Sequence, residues 1–114
     1  MHILIDRDAV CAADDMNHHR EEFTVPDDIT IAGLLEFLEF KYIPFIAGND
    51  VVWVLCHHDV EVGAYFTKNR SFINGNVLLS SIINNSETAT EFYLRYYSSP
   101  DRYRKHFINI AKLD

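Results

Sequence analysis

Val51–Thr67, VVWVLCHHDVEVGAYFT, reads as two strands joined by a short turn. From Val51 to Cys56 the indole of Trp53 is the one polar feature. Such an unbroken apolar run, rich in β-branched residues, predicts a strand buried on both faces. The second run alternates: Val60, Val62, Ala64 and Phe66 fall on one face, Glu61, Gly63, Tyr65 and Thr67 on the other. Period two marks a half-exposed strand. Between them, His57-His58-Asp59 is a polar break of hairpin length. The first strand is therefore expected at the centre of a sheet, with the second antiparallel beside it.

Upstream, His2–Asp6 predicts a strand that Ala9–Ala13 continues or bulges, and Asp14–Glu22 predicts a loop. Phe23–Val25 resumes a short strand, pairing with the first as a hairpin, until Pro26 stops it. Thr30 is placed to cap a helix over Ile31–Ile43, with Asp27 and Asp28 just ahead of its positive end. Ile31, Leu34, Leu35, Leu38 and Tyr42 form its inward stripe, widened by Phe37 and Phe40, and Pro44 ends it.

Downstream, Phe72-Ile73 and Val77–Leu79 flank the turn signal Asn74-Gly75. That segment is compatible with a small hairpin, or with a short helix running through Ile82 and Ile83. Ser86 is expected to cap a helix over Glu87–Tyr97, and Ser99-Pro100 to start another reaching about Ala111, with Tyr103, Phe107 and Ile110 inward. The expected fold is α+β: a small, mostly antiparallel ββαββ sheet on one helix, followed by a C-terminal helical pair. A length of 114 residues predicts one domain, 1–114.

The segment VPDDITIAGLLEFL, residues 25–38, has a strand ending in proline and then a threonine-capped helix. In this order of elements the first 67 residues resemble the β-grasp of ubiquitin-like domains. The chain departs from the modifier pattern at Lys112-Leu113-Asp114, which holds no diglycine, so the resemblance implies no conjugation chemistry.

Apolar residues make up 48% of the chain, enough to build a core. No apolar run approaches the ~20 residues that cross a bilayer, and MHILID lacks the basic and apolar regions of a signal peptide. With two cysteines, Cys11 and Cys56, the expectation is reduced thiols in a cytoplasmic protein. The net charge is −7. Residues 1–28 hold eight acids against Arg7 and Arg20, a local balance of −6. Such a surface repels nucleic acid backbones.

Chemistry-bearing residues give no motif of an enzyme. His18-His19 and His57-His58 are metal-competent types, but no H-x-x-x-H or C-x-x-C spacing occurs. Cys56 beside His57 would need spatial contact and an orienting third group to work as a pair, and Cys56 ends a strand expected to be buried; no glycine-rich phosphate loop is present. The reading predicts no cofactor and no metal. Tyr93, Tyr96, Tyr97 and Tyr103 interleave with Arg95, Arg102 and Arg104. That set suits a binding hot spot, base stacking, or a tyrosine-rich helical core with arginines reaching outward.

The acids Asp6, Asp8, Asp14, Asp15, Glu21 and Glu22 are the candidate partner-binding set, docking a basic protein. In size, acidity and lack of a catalytic motif the chain looks like the immunity proteins, which neutralise toxic nucleases delivered by neighbouring bacteria. That resemblance implies occlusion of a basic active site by acids that mimic phosphates. Two alternatives stand beside it: a small metal-dependent enzyme using Asp6, Asp8 and the histidine pairs, and an adaptor or regulatory subunit.

Overall fold

The structure, a computed structural model, describes residues 1–15, 18–83 and 90–113, with the side chains of Asp15 and of 107–113 outside the description. Six strands form one mixed sheet: β1 (His2–Arg7), β2 (Glu21–Thr24), β3 (Val52–His57), β4 (Val60–Phe66), β5 (Ser71–Ile73) and β6 (Thr90–Tyr97). Their order across the sheet is β2-β1-β6-β3-β4-β5. The β1–β6 pairing is parallel and all others are antiparallel. Among the described residues three α-helices accompany the sheet: α1 (Ala12–Asp15), α2 (Ile31–Lys41) and α3 (Pro100–Leu113).

The β3–β4 hairpin lies where its sequence places it. Its turn is His58-Asp59, with φ of 50° and 66°, the left-handed pair that a type I′ connection demands. β3 is flanked by β4 and β6, and Val52 to Cys56 are all buried. The β1–β2 hairpin also forms, in the register His2↔Thr24 to Ile5↔Glu21. Thr30 caps α2 by accepting from the Gly33 amide at 3.1 Å, and Ile31, Leu34, Leu35 and Leu38 are its buried face.

The β-grasp expectation is overturned. The sheet dominates, and the C-terminal helical pair is absent. Thr90–Tyr97 is a strand, which inserts between β1 and β3 and joins the two hairpins. Thr90, Phe92 and Leu94 are buried at every second position, whereas Glu91 and Tyr93 are exposed. The alternation is the strand period, and long-range pairing to β1 and β3 decides the conformation over helical aromatic spacing. The proposed cap at Ser86 lies outside the described residues. Ala9–Ala13 does not prolong β1; its second half enters α1. Asn74, at φ 59°, does not close a hairpin: β5 pairs with β4, and Leu78 then bridges Thr30.

The core lies on both faces of the sheet. One face carries Ile3, Ile5, Trp53, Leu55, Tyr65, Phe92 and Leu94, packed under α2. The other carries Val52, Val54, Cys56 and Ala64, where α3 sets Tyr103 against Phe66 and Tyr97. Gly63 lets α2 approach β4: a Cβ there would lie 2.6 Å from Ile31 Cγ2 and 3.0 Å from the Ile73 carbonyl. Phe40 does not widen the buried stripe; it is 83% exposed.

Candidate functional site

The six acids singled out from the sequence do not share one surface. Asp14 is buried, against the expectation of a free loop carboxylate. It accepts two hydrogen bonds from the Arg7 guanidinium and one from the Val10 amide. These bonds, led by Arg7, hold its carboxyl well below the usual range against the opposing effect of burial. Asp14 ties the segment after β1 onto the sheet. Asp15 closes α1, with its side chain outside the described residues.

Asp8 is also committed internally. It accepts from the Tyr93 hydroxyl at 2.6 Å and the Tyr96 amide at 2.9 Å. Burial first, then this bond to Asp8, pushes the Tyr93 hydroxyl up. Half-buried Asp6 accepts from the Arg7 amide at 2.8 Å. Glu21 and Glu22 are exposed on β2, whose outer edge pairs with no other strand among those described. Glu22 meets His2 at 3.1 Å. Asp27 and Asp28, just past that strand, are exposed as well. Asp27 holds the N-terminal ammonium at 2.8 Å, and that bond lowers its pKa. Glu21 and Asp28 are paired with no cation among the described residues. The exposed acids of this part of the chain are thus Glu21 and Glu22 on β2 and Asp27 and Asp28 just past it. In the sequence Asp27 and Asp28 read as charges ahead of the helix start, and their spacing carries no sign of the β2 edge nearby.

The residues considered for catalysis or metal do not converge. Cys56 is buried on the α3 side, and burial raises its thiol pKa, which disfavours the thiolate. His57 places Nδ1 3.1 Å from the Glu91 carbonyl and packs its ring on Phe92. Cys11 is exposed at the opposite end of β1 from His2. Among the described residues no group of three or more His, Cys, Asp or Glu side chains is placed to hold a metal ion. The aromatic–arginine set divides too: Tyr96 packs on Trp53, Tyr103 is core, Arg95 lies 3.7 Å from Glu61, and Arg104 pairs with Asp101.

A pocket of about 570 Å³, which no motif in the sequence signals, lies between the end of α2, the 44–49 connection and the start of β3. Ile43, Pro44, Phe45 and Ala47 form its apolar wall, and Trp53 also lines it. At its rim Arg70 Nη1 donates to Glu39 Oε1 at 3.1 Å. Trp53 is fully buried, and its indole N–H finds no acceptor among the described residues. Beneath the ion pair, the Tyr65 hydroxyl is pushed up to about 12 by burial and by the nearby Glu39 carboxylate. Phe45, though it lines the pocket, is fully exposed, and Ile46 next to it in the chain is exposed as well.

Comparison with protein-family models, with curated proteins and with solved structures finds no match to this chain.

Proposed function

We propose that this protein is an acidic protein-binding module that docks a basic partner along its β2 edge. The observation that carries the reading is the exposure of Glu21, Glu22, Asp27 and Asp28 on and just after an edge strand. Charges on an edge discourage pairing with arbitrary strands, so they also select among partners. A cationic partner relieves their mutual repulsion, and their field accelerates the encounter. Within this class we favour an inhibitor of a basic toxin domain, such as a nuclease, in which these carboxylates take the place of substrate phosphates and occlude the cleft. Glu21, Glu22, Asp27 and Asp28 support the reading, whereas Asp8 and Asp14 are held by internal bonds.

The test is capture from native lysate by the parent chain and by a Glu21→Lys, Glu22→Lys, Asp28→Lys variant in parallel. A basic protein retained by the parent and lost by the folded variant supports the reading. Retention of the same proteins by both contradicts it.

A further inference from the structure

We propose that the pocket where the end of β6 meets α3 binds the phosphate monoester of a small, ring-bearing molecule. This goes beyond the docking reading and does not depend on it, since β1 separates β6 from the β2 edge.

The pocket holds about 490 Å³ and is lined by Tyr96, Tyr97, Ser98, Arg102, Lys105 and His106. Arg102, Lys105 and His106 follow the i, i+3, i+4 spacing that puts three side chains on one face of a helix. His106 orients that face: its ring packs against Tyr97 at 5.7 Å, and its Nε2 lies 3.4 Å from Glu61 Oε1. Arg102 and Lys105 are exposed, and neither makes an ion pair among the described residues. In a chain of net charge −7, residues 95–106 carry Arg95, Arg102, Arg104 and Lys105 against Asp101, a local balance of +3. Arg95 lies 3.7 Å from Glu61 and Arg104 lies 3.2 Å from Asp101. The unmatched charge therefore falls on the two cations that line the pocket.

The kinds of cation select the anion. A guanidinium presents a planar fork that takes two oxygens, and an ammonium is a compact charge with three donors. A phosphate monoester brings three terminal oxygens and close to two charges, enough for the fork and the ammonium together. A carboxylate has two oxygens and one charge, which the fork alone satisfies. The volume lies within the ~300–1,000 Å³ range of small-molecule sites and exceeds what a bare phosphate fills. Half-buried Tyr97 offers an aromatic wall beside the cations, which suits a ring as the body of the ligand. Side chains rather than helix amides supply the charge: the Arg102 amide already donates to Ser99 Oγ at 3.3 Å.

The probes are phenyl phosphate, inorganic phosphate, benzoate and benzylammonium, added at pH 8, well above the second phosphate pKa of about 6. The readout is the backbone amide peaks of Ser98, Arg102 and Lys105 in a ¹H–¹⁵N spectrum. Phenyl phosphate should move them saturably. Benzoate, short of charge, and inorganic phosphate, short of a ring, should each act roughly tenfold more weakly. Benzylammonium should leave the peaks in place. Arg102→Gln with Lys105→Gln should abolish the response with the thermal melt unchanged, since both side chains are exposed. Arg104→Gln, which removes a cation held by Asp101 and outside the pocket lining, should preserve it. The proposal is overturned if phenyl phosphate gives no saturable shift in the folded parent chain, or if the response survives the double substitution. Loss with Arg104→Gln as large as with the double substitution overturns it too, because diffuse surface charge would then explain the binding. So does inorganic phosphate or benzoate binding as well as phenyl phosphate.

Discussion

Arg7 and Asp14 meet as a closed pair: the guanidinium donates from Nη1 and Nη2 to the two carboxylate oxygens at 2.7 and 2.9 Å. The side chains are 8% and 6% exposed, so the pair is shut away from solvent. Arg7 also lies over the Tyr42 ring, whose hydroxyl donates to the His19 carbonyl. One buried ion pair thereby joins β1, the segment after it and the end of α2.

Removing one partner leaves the other charged and buried. Asp14→Ala should therefore cost roughly 3–5 kcal/mol, whereas Arg7→Leu with Asp14→Leu should cost much less, as apolar replacements of buried pairs do. Urea unfolding of the two variants separates these outcomes. Equal losses would show that shape, not charge, holds the segment.

The same pair sets an acid limit. The folded Asp14 carboxyl titrates below its unfolded value of about 3.9, so the folded state binds fewer protons in that range. Its contribution is complete above that unfolded value and fades as pH falls towards the folded one. Stability should drop below about pH 4 in the parent, and the gap between parent and Asp14→Asn should narrow there. A gap independent of pH, followed by chemical unfolding from neutral to acid, would assign the stabilisation elsewhere.

Trp53 is the largest fully buried side chain, on a strand paired on both sides. Trp53→Ala should cost roughly 3–5 kcal/mol in a denaturant melt. A midpoint equal to the parent's would remove Trp53 from the core.

Gly63 is required by the contact between α2 and β4. Gly63→Ala should destabilise by roughly 1–3 kcal/mol, because the methyl group meets Ile31 and the Ile73 carbonyl. In an Ile31→Ala background the loss should shrink, since the nearest clash is gone, and a double-mutant cycle measures the difference. Strict additivity would place the strain with the carbonyl.

The central hairpin and α2 were legible because their signals are local. An unbroken β-branched run, a polar break and strict alternation specify β3 and β4 within residues 51–67, and Thr30 and Pro44 bracket the helix. β6 was not, because Phe92, Tyr93, Tyr96 and Tyr97 satisfy helical spacing as well as strand spacing. What decides between them is hydrogen bonding to β1, whose Ile3 pairs with Thr90. No local pattern encodes a partner that far along the chain. The acidic set divides for a related reason. Composition counts Asp14 and Glu21 alike, yet the fold gives Asp14 an arginine and leaves Glu21 in solvent.

The most direct test of acidic docking is the association rate of a captured basic partner, followed by stopped flow as ionic strength rises. The account predicts fast association at low salt that slows clearly through about 0.15 M, where charges are screened beyond ~8 Å. It also predicts that Glu21→Lys with Glu22→Lys slows association at low salt and flattens the salt dependence, with the thermal melt unchanged. A rate indifferent both to salt and to these two substitutions would contradict it.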